Sequence, residues 1–156
     1  MEGPPVKGSR QSGSRAVGQS PQESKLRGIA VWKESQAIAE HVAELVSHLP
    51  RDGVANSIGS QLVRAAGSIP ANITEGYGRF SQPAYRNHLS IARGSAFEAE
   101  SWVDLLIRRK YVSPADGAQL LAQCDAIQRM LTTRMRGLGS ASQTYAIREE
   151  GIDYEA

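Results

Sequence analysis

The sequence SQPAYRNHLSIARGSAFEAESWVDLLIR, from Ser81 to Arg108, decides the fold. Its apolar residues recur at steps of four and three, which places them on one face of an α-helix. Ser81 is a favourable N-cap and Pro83 falls in the first turn, so a helix is predicted to begin there. Small residues in its middle would let a neighbouring helix approach closely. The apolar face consists of Tyr85, Leu89, Ala92, Ala96, Ala99, Val103 and Leu106.

Two helices are predicted before this segment, with the same periodicity. The first covers about residues 29–49 and is stopped by Pro50. The second covers about residues 54–76 and ends in the sequence Gly76-Tyr77-Gly78. Their apolar stripes consist of Val31, Ile38, Val42, Leu45 and Leu49 in the first, and Ile58, Leu62, Ala65, Ile69 and Ile73 in the second.

A fourth helix is predicted from Ser113, with Pro114 in its first position. Asp116 is placed to complete a reciprocal cap with Ser113. Gly137 and Gly139 are predicted to end the helix. Its apolar stripe consists of Leu120, Cys124, Ile127, Leu131 and Met135.

Short connections favour antiparallel packing of consecutive helices. The sequence therefore predicts an all-α fold, an antiparallel up-down-up-down four-helix bundle. Pro70 lies inside the second helical pattern, where it removes an amide donor and clashes with the preceding turn. Because the pattern continues beyond Pro70, we expect a kink near it rather than the end of the helix.

Charge and composition divide the chain into three parts. Residues 1–25 are rich in Gly, Ser, Pro and Gln and are predicted to form a disordered arm. Residues 26–139 are assigned to the bundle domain, and residues 140–156 to an acidic, weakly structured tail. Residues 27–139 carry thirteen basic and ten acidic groups, a net charge of +3, whereas residues 140–156 carry one and four, a net charge of −3.

Several classes of function are disfavoured by the residues present. Cys124 is the only cysteine, which excludes an intramolecular disulfide and favours a cytoplasmic setting. The sequence has neither an apolar run long enough to span a membrane nor an apolar secretory leader. It lacks the Glu-x-x-His pairs of di-iron bundles, and its three histidines form no zinc signature. We therefore expect no catalytic residue, no metal and no cofactor, and a protein that is not an enzyme.

Three polar residues on the second and third helices are candidates for a structural network. Glu75 and Arg93 are predicted to form an ion pair between the two helices. Asn72 is predicted to satisfy carbonyl groups that Pro70 leaves without a donor. Such buried groups more often fix helix register than perform chemistry.

The segment Ser68-Ile69-Pro70-Ala71-Asn72-Ile73 followed by Glu75-Gly76 resembles a known family, as do Val31-Trp32 and Ile91-Ala92-Arg93-Gly94-Ser95. The chain is similar, over about residues 29–136, to four-helix bundle proteins encoded in intervening sequences of bacterial large-subunit ribosomal RNA genes. Related proteins are the accessory variability determinants of diversity-generating retroelements. The resemblance implies a homopentameric barrel. For the retroelement relatives it also implies binding to nucleic acid and to a reverse transcriptase.

Six basic residues are the candidates for contacts with the phosphates of RNA or DNA, namely Arg64, Arg79, Arg86, Arg108, Arg109 and Lys110. In a ring, repetition of these charges would strengthen the field of each protomer. The alternative for residues 108–110 is that they only complement the dipole at the end of the third helix. At the level of function, the alternative is a homo-oligomeric scaffold for protein interactions that does not bind nucleic acid.

Overall fold

The computed structural model describes residues 25–150, with side chains described for residues 25–139. After a single helical turn at residues 25–27, the chain forms four long helices and, within the described residues, no strand. The predicted arm, apart from its last residue, and residues 151–156 of the tail lie outside this part of the chain. The helices are α1 (Ala30–Ser47), α2 (Gly53–Tyr77), α3 (Gln82–Arg108) and α4 (Pro114–Glu150).

Hydrogen bonds between helices define an antiparallel arrangement. Near the start of α1, Trp32 Nε1 donates to Thr74 Oγ1 near the end of α2, over 3.0 Å. Near the start of α3, the hydroxyl of Tyr85 accepts a 2.8 Å hydrogen bond from Arg134 Nε, late in α4. The helices therefore run up, down, up and down, as predicted. One end of the bundle, the two-loop end, carries loops 48–52 and 109–113; the opposite, one-loop end carries loop 78–81 and the start of α1.

Each helix contributes its predicted apolar face to one core. Burying a Leu, Ile or Val side chain stabilises the fold by about 1.5–3 kcal/mol relative to leaving it exposed. Tyr85, Leu45, Leu49 and Met135 lie at the edges of the core and are only partly buried. The largest fully buried side chains are Ile38, Val42, Leu62, Ile69, Ile73, Leu89, Val103, Leu106, Leu120, Cys124, Ile127 and Leu131.

The predicted caps are present at the starts of α3 and α4. The side chain of Ser81 accepts from the amide of Ala84. Ser113 Oγ accepts from the Asp116 amide over 3.2 Å and donates to the Asp116 carboxylate over 2.8 Å. A third cap, at the start of α2, was not predicted: the Asp52 carboxylate accepts from the Val54 amide. These contacts satisfy amides that have no partner within their own helix.

Helix α2 continues without interruption through Pro70, which is buried. The predicted role of Asn72 is wrong. Its Nδ2 donates to the carbonyl of Ser68 over 2.9 Å and to the Ser68 hydroxyl over 3.0 Å. The carbonyl that Pro70 leaves without a donor belongs to Ala66, four residues earlier. Asn72 therefore does not compensate for the proline, and the kink stays a prediction.

Helix α4 extends beyond the predicted stop at Gly137 and Gly139. It has 37 residues and reaches Glu150, so the backbone of residues 140–150 is helical rather than weakly structured. Glycine ends a helix mainly by adopting the left-handed conformation. None of the glycines in the described part of the chain has a positive φ. Both residues therefore lower the helix propensity of α4 without ending it.

Helices α2 and α3 approach closely at Gly76. A Cβ atom at this position would lie 2.6 Å from His88 Cβ and 2.9 Å from Tyr85 Cδ2. Neither atom can move far, because one is attached to the α3 backbone and the other belongs to a ring packed against the core. By contrast, a Cβ at Gly67, an exposed position of α2, would meet no atom within 4 Å.

We therefore expect Gly76→Ala and Gly67→Ala to have opposite effects on the free energy of unfolding. The first should lower it by about 1–3 kcal/mol through overpacking. The second should raise it by about 0.5–1 kcal/mol, because alanine is the better helix former. Chemical denaturation followed by circular dichroism measures both changes. Equal stability of the two variants would contradict the close approach of α2 and α3.

Candidate nucleic-acid interface

The six candidate phosphate-binding residues do not form one patch. Residues 108–110 lie at the two-loop end, where α3 ends. Arg79 and Arg86 lie at the one-loop end, and Arg64 is exposed in the middle of α2. Helix α3, which separates the two ends, has 27 residues, equivalent to about 40 Å at 1.5 Å per residue. Each end must therefore be judged by its own balance of charge.

Basic and acidic groups lie close together at the two-loop end. Arg108 pairs with Asp104 over 2.5 Å. Asp52 accepts a 2.7 Å hydrogen bond from the Tyr111 hydroxyl, which joins the two loops. This bond, together with the Val54 amide, holds the pKa of the Asp52 carboxyl below its ordinary value. The carboxylate therefore remains charged at neutral pH and offsets part of the positive charge that Arg109 and Lys110 contribute.

Lys110 occupies an unusual backbone conformation in the same loop. Its φ is 60°, in the left-handed region, and it is the only described residue other than glycine with a positive φ. The Tyr111 amide donates to the Leu106 carbonyl over 3.0 Å, and the Lys110 amide donates to the Ile107 carbonyl over 2.9 Å. This pair of bonds forms a Schellman motif, which normally places glycine at the position of Lys110.

The one-loop end has an excess of positive charge. Arg86 is exposed and forms no ion pair with any described residue, whereas Arg79 pairs with Glu75. Arg134 lies 5.5 Å over the Tyr85 ring and donates to its hydroxyl, without a carboxylate partner among the described residues. Among residues 25–139, the acidic residues at this end are Glu75 and Glu34, which lies in the second turn of α1. Helix α4 carries two further acidic residues near its C-terminus, Glu149 and Glu150. The basic residues near this end are Lys25, Arg27, Lys33, Arg79, Arg86 and Arg134.

An aromatic side chain projects from this basic end. Phe80, in loop 78–81, is fully exposed and is the most exposed large apolar residue in the described part of the chain. Behind it, the rings of Tyr77 and Tyr85 meet edge to face with their centroids 6.2 Å apart. An exposed aromatic ring surrounded by cations provides the two kinds of contact that single-stranded nucleic acids use, stacking and charge.

The predicted ion pair between Glu75 and Arg93 is wrong. Asn72 on α2 lies opposite His88 on α3, so Glu75, which is one turn further along α2, faces the region of Tyr85 and His88. Arg93 is nearly two turns away along α3 and points to α4, where its Nε donates to Thr132 Oγ1 over 2.9 Å. The register of the antiparallel helices therefore separates the two groups.

A different polar contact joins the middles of α2 and α3. Ser68 Oγ and Ser95 Oγ share a 2.9 Å hydrogen bond, and Ser95 is buried. Asn72 extends this cluster, since its amide bonds Ser68 and its carbonyl oxygen lies 3.4 Å from His88 Nδ1. Asn72 and Glu75 thus belong to one polar cluster centred on His88, and Arg93 belongs to another, on α4.

Groups suited to catalysis or metal binding are dispersed. Burial raises the pKa of the Cys124 thiol to about 12, so it is protonated at neutral pH. His41 bonds Gln123 on α4, and His48 bonds the Glu44 carbonyl within its own helix. Within residues 25–139, no group of three or more His, Cys, Asp or Glu side chains is placed to hold a metal ion.

None of the helices in this range is long and apolar enough to cross a membrane.

Comparisons with known proteins agree with the resemblance to ribosomal intervening-sequence proteins noted in the sequence. The model of the family described as "23S rRNA-intervening sequence protein" matches residues 27–133. The chain is also similar, with 27% identity and a TM-score of 0.65, to the crystal structure of a protein of unknown function from the S23 ribosomal protein family of Bacteroides thetaiotaomicron. That match covers 68% of this chain and 98% of the other. No curated protein matches the chain.

Lys110 allows charge and backbone strain to be separated at the two-loop end. Lys110→Gly removes the left-handed strain of about 1–2 kcal/mol, less the entropy that glycine loses on folding, so unfolding should cost roughly 0.5–1 kcal/mol more. Lys110→Ala removes the same charge but keeps the strain, and should leave stability nearly unchanged. Denaturant titrations of both variants test this. A gain of the same size in both would attribute it to charge instead.

Proposed function

The chain belongs to the 23S rRNA-intervening sequence protein family, and we propose that it is a non-enzymatic, oligomeric accessory protein that binds nucleic acid. The observation that carries the proposal is the excess of arginine and lysine over acidic residues at the one-loop end, counted over residues 25–139. Basic side chains without carboxylate partners attract phosphates regardless of base sequence. Binding would therefore be electrostatic and only weakly selective for sequence.

The two ends of the bundle contribute differently in this proposal. Arg86, which has no ion-pair partner among residues 25–139, can give its full charge to a phosphate. Arg108 must first leave Asp104. An exposed ion pair of this kind contributes only about 0–1 kcal/mol to stability. Its two charges nearly cancel, however, so it attracts a distant phosphate only weakly. The one-loop end is thus the main phosphate-binding surface, with Phe80 available to stack on an unpaired base.

Assembly and partners form a further part of the proposal. The resemblance to ribosomal intervening-sequence and retroelement proteins supports a homopentamer, in which five basic ends would add their fields. For the retroelement branch, it also supports a reverse transcriptase as partner. The single cysteine of the chain favours a cytoplasmic setting. A neighbouring reverse transcriptase gene in the source genome would favour that branch, and an insertion within a ribosomal RNA gene would favour the other.

A protein-interaction scaffold is the second candidate function. Val63 on α2 and Ile91 on α3 are large apolar side chains that remain 41% and 46% exposed. Large apolar side chains that remain exposed can contribute to a protein-binding surface. In this case the basic residues would only be solvated. Capture of one protein partner that persists after nuclease treatment, with no binding to nucleic acid, would favour the scaffold.

Substitutions at the two ends test nucleic-acid binding. We expect the wild-type protein to bind structured RNA or DNA at low salt, with an affinity that falls steeply as salt rises. Arg86→Gln should weaken binding and reduce the slope of log K against log salt by about 0.7–0.9. The matched control Arg108→Gln should change the slope less, because Asp104 already offsets its charge.

Fluorescence anisotropy over a salt series measures these slopes, and a gel shift gives an independent readout. Absence of any retardation at low salt would remove the proposal. Equal slopes for the two variants would contradict the assignment to the one-loop end.

Oligomeric state is tested separately. Light scattering at micromolar concentration should give the mass of five chains, each of 16.8 kDa. The measurement should be repeated at high salt, because assembly through apolar surfaces is expected to persist when electrostatic contacts are screened. A monomer mass under both conditions would contradict the pentamer. The electrostatic field at the basic end would then come from one chain instead of five.

A further inference from the structure

A polar groove of about 410 Å³ lies between α3 and α4, away from the apolar core. None of its cationic residues was among the six candidates for phosphate binding. Arg93 was assigned to a structural ion pair that does not form. Arg129 and Arg136 lie on the wall formed by α4. The groove is lined by Arg93, Phe97, Asp125, Gln128, Arg129, Thr132, Thr133 and Arg136.

Arg93 is held in place in this groove without a carboxylate partner. Its Nε donates to Thr132 Oγ1 over 2.9 Å, and its guanidinium lies 4.9 Å over the Phe97 ring. The Thr132 hydroxyl in turn donates to the Gln128 carbonyl over 2.8 Å. These contacts fix the side chain and leave the two terminal nitrogens of the guanidinium for another ligand. A fixed, planar guanidinium with both terminal nitrogens available is suited to bidentate binding of a phosphate.

Helical periodicity places further arginines in a row with Arg93 along the groove. Arg86 and Arg93 are seven residues apart on α3, and Arg129 and Arg136 are seven apart on α4, so each pair shares a face and is separated by about 10.5 Å. The helices are antiparallel, and the Arg93 side chain reaches Thr132 across the groove. Along the axis, arginines from the two walls therefore alternate at steps of about 5 Å. This interval is comparable with the spacing of successive phosphates in a nucleic-acid strand.

The negative charge in the groove is small. Asp125 is its acidic residue and pairs with Arg129 over 2.9 Å, with both side chains more than half exposed. An exposed pair of this kind is readily exchanged for a phosphate. Arg136 forms no ion pair with residues 25–139, and the Thr133 hydroxyl is exposed beside it. The groove thus presents three guanidinium groups against one carboxylate.

We propose that this groove binds the phosphate backbone of a single strand of nucleic acid, with one base stacked on Phe97. The strand would run from Phe97, which is 45% exposed, past Arg93 and Arg136 to Arg86, where the groove meets the one-loop end. Stacking on Phe97 needs an unpaired base, which a single strand offers and a duplex does not. The inference rests on the proposed function and names the form of nucleic acid that this site takes.

Binding of labelled single-stranded RNA and of a duplex to the full chain tests the groove. Arg136→Gln should weaken single-strand binding about threefold to tenfold at low salt and reduce the salt slope by about 0.7. Phe97→Leu keeps an apolar side chain but removes the ring that would stack on a base and that also holds Arg93. It should weaken single-strand binding about tenfold with little change in slope, because no charge is removed. Duplex binding should change less in both variants.

Arg51→Gln is the matched control, because Arg51 is exposed in loop 48–52, outside both the groove and the six candidate residues, and has no ion-pair partner among the described residues. It should retain single-strand affinity within about twofold, as expected for one distant charge screened by salt. Arg136 and Phe97 are both exposed, so the variants should melt at the wild-type temperature, which circular dichroism verifies.

The outcomes separate the groove from the proposed function. If Arg136→Gln and Phe97→Leu bind the single strand as well as wild type while Arg86→Gln does not, the groove is overturned and nucleic-acid binding at the one-loop end stands. If the wild-type protein binds neither single strand nor duplex, both proposals fall. Equal competition by a poly-glutamate peptide would show a general anion site and would also overturn the groove.

Discussion

Helices α2 and α3 pack most extensively of all the helix pairs, and their close approach fixes the register of the bundle. The approach is possible because the facing residues are small: Gly76 lies against the α3 backbone, and the buried hydroxyl of Ser95 meets that of Ser68. Each hydroxyl also bonds within its own helix, Ser95 to the Ile91 carbonyl and Ser68 to the Asn72 amide. Sliding α3 along α2 would break the bond between the helices and move a larger residue against Gly76. Every charged side chain on the two helices is placed by this register.

The distribution of charge follows from that register and from the antiparallel closure. Loops 48–52 and 109–113 meet at one end, where Tyr111 bonds Asp52 and acidic groups offset the cations. Among residues 25–139, the other end, with the single loop 78–81, has Glu75 and Glu34 against a larger number of basic side chains. Since the net charge of the chain is only +2, this asymmetry, rather than the total charge, determines where a polyanion would bind.

The sequence predicts those parts of the structure that depend on local spacing. Apolar stripes and the caps at Ser81 and Ser113 depend on residues three or four positions apart, so the helices and their antiparallel order could be derived. The pair of Glu75 and Arg93 failed because it required the register between two helices, which periodicity does not define. For the same reason, the arginines facing each other across α3 and α4 could not be recognised as one surface before both helices were placed.

The surroundings of Arg93 explain how a guanidinium without an ion-pair partner is held on this surface. Local rules would place a carboxylate beside a partly buried guanidinium, because an unpaired charge loses hydration. Here a threonine hydroxyl and an aromatic ring hold the group instead. A partly buried charge without an opposite charge beside it lowers stability, and residues of this kind are expected mainly at functional sites. A carboxylate paired with Arg93 would stabilise the bundle, but it would also compete with a phosphate for the guanidinium. Without such a carboxylate, the bundle is less stable and Arg93 remains available to bind a phosphate.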